Sequence, residues 1–204
     1  MLTRPLILSD GDLPSLVACA AAAEMSLAET DPARRPVVLP FPSALSADQC
    51  RAVERQAKVL NLSALPPMAP VSTSADGEAE VRDLLSASYG AARAGIDTVT
   101  WPLSATRGDS IDVDRAGRIA TRAMLVGRLV GLDDTRHGEP AARIETPYLD
   151  LSDTQLADLA ADLAVPLETV WWWGSQTGDA ARARTRWGAA LAAVGWPLVA
   201  PRAT

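Results

Sequence analysis

The chain has 204 residues, 48% of them hydrophobic and 22% charged, with a formal net charge of −6. That is enough for one domain with a substantial core. The acidic balance excludes a general affinity for nucleic acid, which needs a basic footprint.

Cys19 and Cys50 fall at helical positions among apolar neighbours, which predicts reduced thiols rather than a disulfide. There is no CxxC pair, so no cysteine-based zinc site is expected. No stretch reaches the ~20 apolar residues of a membrane span. No long apolar run follows a basic start, so no signal peptide is expected and the cytoplasm is the default compartment. Lys58 is the only lysine, so lysine chemistry would have one candidate.

Pro5 to Leu8 is a short apolar run, predicted as a strand. Ser9-Asp10-Gly11-Asp12-Leu13-Pro14-Ser15 is turn-forming, and Leu16 to Ala23 is apolar and helix-forming. Strand, tight turn and helix in that order open a nucleotide-binding α/β sheet. The first amides of such a helix lack intrahelical partners and can hold an anion. Asp10 and Asp12 put negative charge at that place.

Val37 to Leu39 reads as a second strand. Ser46 with Gln49 three residues on predicts a capping box for a helix over 47–60. Asn61 to Leu65 carries a weak third-strand signal, and the stretch from Pro66 to Gly77 reads as loop. Val81, Leu84, Leu85, Tyr89 and Ala92 predict a helix over 78–95, stopped by Gly95. Ile96 to Trp101 is the next strand, and Pro102 to Ser110 a loop. The helix over 113–132 is expected to bury Ile119, Met124, Leu125, Leu129 and Val130. Asp133 to Ala141, including the lone His137, reads as charged and exposed. Ala142 to Tyr148 is a strand leading to a turn, and Ser152 caps a helix through Leu163. Leu167 to Trp173 reads as a last strand or extended segment, followed by a helix over 179–194.

Strands alternating with helices predict crossovers and a three-layer α/β domain, with a mainly parallel sheet and helices on both faces. The domain covers 1–204, with 174–204 as a C-terminal helical extension. Ligands of such sheets bind at the carboxyl ends of the strands. The candidate site residues are therefore Ser9, Asp10, Gly11, Asp12, Ser15, Trp101 and Trp171, with no catalytic residue singled out. A tryptophan at a strand end can stack on a purine-like base. Alternation along a strand would send Trp171 and Trp173 to one face and Trp172 to the other. Arg182, Arg184 and Arg186 read as a solvated helix surface.

Ile144-Glu145-Thr146-Pro147-Tyr148-Leu149-Asp150-Leu151-Ser152 resembles the I-x-T-P-L-x-D-L-T motif of the PP-loop ATP pyrophosphatase superfamily, and within it the 7-cyano-7-deazaguanine synthase family of queuosine biosynthesis. Ala164-Val165-Pro166-Leu167-Glu168 is similar to the family's L-G-V-P-x-E, and Val170-Trp171 stands at its T-W-S-C. The stretch from Ala91 to Ala105 resembles its helix, G-A-D strand and N-A loop. The resemblance implies the adenine nucleotide alpha hydrolase-like fold, ATP and magnesium, a ligase forming an adenylated intermediate, and a homodimer.

The departures fall on the chemistry. The family loop S-G-G-x-D-S wraps phosphates with glycine amides. Here Asp10 replaces a glycine, Leu13 stands at the Asp position and Pro14 at the Ser position. Each aspartate ~5 Å from a phosphate charge, at an effective dielectric of ~20, would repel it by roughly 3 kcal/mol, a ~100-fold loss of affinity. Asp153 stands at the family's lysine, and Trp173 at the first of its four zinc cysteines. Pro42-Ser43-Ala44-Leu45 replaces its G-Q-R-H-like element.

Three readings of Asp10-Gly11-Asp12 stay open at this level. One is a turn with a helix cap. A second is a nucleotide site in which a divalent cation bridges the aspartates. A third is a nucleophile and acid pair of the haloacid dehalogenase type, completed by Lys58 and Asp133-Asp134. The functional expectation is a degenerate, non-catalytic or repurposed homologue that binds a purine-like small molecule or a protein partner. The alternatives are an active ATP-dependent ligase and an Asp-based hydrolase.

Overall fold

The computed structural model describes residues 4–31, 34–69, 76–133 and 142–196. Five strands make one parallel sheet: β1 (Pro5–Ser9), β2 (Val37–Pro40), β3 (Ser63–Ala64), β4 (Thr98–Thr100) and β7 (Arg143–Glu145), in the order β3-β2-β1-β4-β7. A small antiparallel hairpin, β5 (Thr106–Arg107) with β6 (Ser110–Ile111), replaces the second half of the loop expected over 102–110 and runs one residue past it.

The helices are α1 (Leu13–Met25), α2 (Ala47–Val59), α3 (Asp76–Arg93), α4 (Val113–Asp133), α5 (Asp153–Asp162) and α6 (Gly178–Ala193). Their ends follow local chemistry. Ser46 with Gln49 and Ser152 with Gln155 form capping boxes on α2 and α5, and each satisfies donors that a helix start leaves open. Gly95 takes a positive φ of 71° just past α3, where a side chain would be strained.

Side-chain alternation along β1 divides the core in two. Ile7 joins one cluster with Leu16, Val53, Leu156, Trp172 and Trp187, contributed by α1, α2, α5, α6 and the segment before α6. Leu6 and Leu8 join the other, with Leu84, Val99, Trp101, Ile119 and Val130, which includes α3 and α4. The sheet is thus flanked by helices on both faces. The C-terminal extension is part of the first core, since Trp187 and Leu191 of α6 are fully buried. Cys19 and Cys50 are free thiols. Burial pushes the Cys19 thiol up to about 12, so it behaves as a small apolar side chain.

Three expectations are corrected. Leu167 to Trp173 is not a strand: Leu167–Thr169 is one 3-10 turn, and Trp171 to Gly174 continue as turns and bends. The sheet ends at β7, and this segment instead crosses the β1–α1 loop, where the Trp171 amide donates to the Gly11 carbonyl over 3.1 Å. On α4 the buried residues are Ile119, Ala123, Val126 and Val130, while Met124, Leu125 and Leu129 are exposed. A hydrophobic count could not separate α4's covered face from its open one. Arg182 is exposed as expected, but Arg184 and Arg186 are half-buried and bonded to the chain, as described below. His137 and Asp134 lie outside the described residues.

Candidate functional site

The strand order reverses between β1 and β4, so the ligand crevice of this topology opens beyond their carboxyl ends. The β1–α1 loop forms one wall of that crevice, and its own side chains occupy its amides. Asp10 N–H donates to Ser15 Oγ over 3.3 Å and Gly11 N–H to Ser9 Oγ over 3.2 Å. Asp12 N–H donates to Asp10 Oδ1 over 2.9 Å and Leu13 N–H to Asp12 Oδ1 over 2.8 Å. Pro14 has no N–H to offer. Four consecutive amides that could have faced a phosphate each have an internal acceptor, and two of the acceptors are carboxylates.

The loop is locked from both sides. Asp10 Oδ1 also accepts from Ser15 Oγ over 2.8 Å. The Trp172 indole donates to Asp12 Oδ1 over 2.6 Å. Gly11 sits at φ 77°, and a Cβ there would come within 2.9 Å of the Ala52 Cβ on α2. Its carbonyl accepts from the buried Gln56 amide over 3.0 Å. Gly11 is therefore required for packing against α2. Burial, and then the charge of Asp10, push the Asp12 carboxyl up to about 6, while the hydrogen bonds from Leu13 and Trp172 pull the other way.

A second buried cluster lies beside this loop. Asp153, 1% exposed, receives Arg186 in bidentate fashion, Nε to Oδ2 over 2.7 Å and Nη2 to Oδ1 over 2.5 Å. It also accepts from Thr106 Oγ1 over 3.0 Å and Gly108 N–H over 2.9 Å. Arg186 donates further to the Thr106 carbonyl over 3.1 Å. Burial works against the Arg186 charge, but the hydrogen bonds and charge of Asp153, with Asp12 and Asp10 adding, raise its pKa above the usual guanidinium value. This ion pair ties α5 and α6 to the hairpin after β4. Sequence reasoning missed it because its two members lie 33 residues apart, and nothing in either local pattern signals the other.

Of the predicted site residues, Ser9, Asp10, Gly11, Asp12 and Ser15 are together in the loop. Trp101 comes near them but is 1% exposed and packs edge-on against Phe41, with ring centroids 6.1 Å apart. Asp10, Ser15 and Trp101 line a depression of about 40 Å³, room for about one water molecule. Trp171 meets the loop through its amide at Gly11, but its half-buried side chain lines a different hollow, an open cleft of about 620 Å³ between α2 and the segment before α6. A third concavity, of about 370 Å³, lies between α1 and the β4–β7 face of the sheet. Among the described residues, no group of three or more His, Cys, Asp or Glu is placed to hold a metal ion, and no helix is long and apolar enough to cross a membrane.

No protein-family model matches this chain, and no curated protein is significantly similar to it.

Proposed function

We propose that this chain is a non-catalytic binding protein on a nucleotide-type α/β scaffold, a degenerate homologue of 7-cyano-7-deazaguanine synthase that holds a purine-like small molecule. The parallel sheet with its reversal between β1 and β4 is compatible with the PP-loop fold that the sequence motifs resemble. The observation that carries the loss of ligase chemistry is the closed set of hydrogen bonds in the β1–α1 loop. A triphosphate there would have to displace two carboxylates from amides they already occupy, and would meet their charge as well.

The position at which the resemblance implies a lysine supports the same reading. It holds Asp153, whose carboxylate is consumed by Arg186. Asp10 accepts two hydrogen bonds within its own loop, which disfavours a nucleophile at that position and with it the hydrolase reading.

The test is pyrophosphate release from ATP and magnesium in the presence of a deazapurine carboxylate. No release above the protein-free rate is expected. Turnover that requires both the carboxylate and the protein would restore the ligase reading.

A further inference from the structure

The open cleft between α2 and the segment before α6 has a composition that neither the fold nor the β1–α1 loop explains. Its volume, about 620 Å³, falls in the range of small-molecule sites. Trp171 lines it, half-buried, with Arg55, Ser175, Gln176 and Thr177 around it. The one carboxylate among its lining residues, Asp48, is already paired with Arg51. Arg55 makes no ion pair among the described residues; its only partner is the Thr169 carbonyl, at 3.5 Å. The cleft is therefore lined by the half-buried Trp171 indole, the exposed Arg55 guanidinium, which is in no ion pair among the described residues, and the exposed Gln176 amide.

The walls are fixed in advance. The Trp171 amide is held by the Gly11 carbonyl. Arg184 donates to the Trp172 carbonyl over 2.7 Å and the Ser175 carbonyl over 2.6 Å, which ties the ends of the 172–175 turn together. Thr177 caps α6 through the Ala180 amide over 3.2 Å. A site whose backbone is held this way loses little conformational entropy on binding.

We propose that this cleft binds a flat heteroaromatic ring carrying one anionic group, the ring lying on Trp171 and the anion meeting Arg55. The assignment rests on the binding-protein reading above and gives it a place and a ligand chemistry. An indole face attracts any aromatic ring. A guanidinium selects a planar or tetrahedral oxyanion, carboxylate or phosphate. Gln176 supplies one donor and one acceptor for ring-edge groups.

The experiment follows the indole N–H resonances of the six tryptophans during titration of the full chain with guanosine 5′-monophosphate, guanosine and inorganic phosphate. The expected result is a saturable shift of the Trp171 resonance with the monophosphate, and binding at least about tenfold weaker for guanosine or phosphate alone. Arg55→Gln should lower monophosphate affinity by about tenfold and leave guanosine unchanged. By calorimetry, which needs no Trp171 reporter, Trp171→Leu should abolish monophosphate binding, while Trp171→Phe, which keeps a ring, retains it and controls for folding. A Trp171 resonance unmoved at roughly 10 mM monophosphate, or binding indifferent to both Arg55→Gln and Trp171→Leu, overturns the inference. Failure of the loop reading would appear separately, as ATP binding that depends on Asp10.

Discussion

The Trp172 indole nitrogen lies 2.6 Å from an Asp12 carboxylate oxygen, linking residues 160 positions apart. Through this bond the segment before α6 closes over the loop after β1. Asp12 also caps α1 through Leu13. One carboxylate thus fixes a helix start and a long-range contact, at a place where this topology elsewhere holds a ligand.

Asp12 makes stability fall as pH rises through the weakly acid range. Burial and Asp10 raise its pKa from the ordinary 3.8 to about 6, so the folded chain holds a proton that the unfolded chain releases. The stabilisation is complete below the unfolded value and is lost as pH rises through about 6, with a span of up to about 3 kcal/mol. Asn at this position keeps an acceptor for Leu13 and Trp172 without the charge. Urea unfolding at pH 4 to 7 is therefore expected to show a falling stability difference between wild type and Asp12→Asn. A constant difference over that range would contradict the raised pKa.

Trp172→Phe keeps most of the buried ring and removes the indole donor. The expected cost is about 1–2 kcal/mol in the wild type, and less in an Asp12→Asn background, where the acceptor is neutral. A double-mutant cycle on urea midpoints measures the coupling.

Arg186→Met leaves the buried Asp153 without its cation. The expected cost is about 3 kcal/mol or more. Asp153→Leu added to Arg186→Met should recover part of it, because a buried carboxylate without a cation is worse than none. Equal stability of the single and double variants would show that Thr106 and Gly108 alone satisfy Asp153.

Gly11→Ala places a methyl group 2.9 Å from Ala52 at a positive φ. The two penalties together are expected to cost about 2–4 kcal/mol. The observable is a lower melting temperature independent of any added nucleotide, since the loop's amides are internally bonded in the absence of a ligand.

Local signals in the sequence were sufficient for most of the fold. Ser46 with Gln49, and Ser152, are helix-start signals that need no tertiary knowledge, and both serines cap as expected. The strand-turn-helix opening and the alternation of strands with helices likewise lead to a parallel sheet. The tryptophan run was misread because three large aromatics in a row suit a strand and a packed turn equally well. Pro166 before the run and the attachment of Trp171 to Gly11 favour the turn, and only the second is decisive. The loop residues were brought together by their closeness in sequence. Their closed hydrogen bonding was not legible, because it depends on which way Asp10 and Asp12 turn. Asp153 with Arg186 and Gln56 with Gly11 were invisible for a simpler reason: each pair is joined only by the tertiary fold.

The most direct measurement is a calorimetric titration of wild type, Asp10→Gly and Trp171→Leu with ATP, with and without magnesium. If the β1–α1 loop is filled by its own carboxylates, wild type shows no magnesium-dependent binding at millimolar ATP, and Trp171→Leu, which removes the ring contact in the cleft, gives no saturable heat under either condition. That variant should also gain no thermal stability, whereas a ligand at about 100 times its dissociation constant would add about 2.7 kcal/mol. Saturable, magnesium-dependent binding to wild type that Asp10→Gly changes would show that the loop opens to a triphosphate, and would contradict the account.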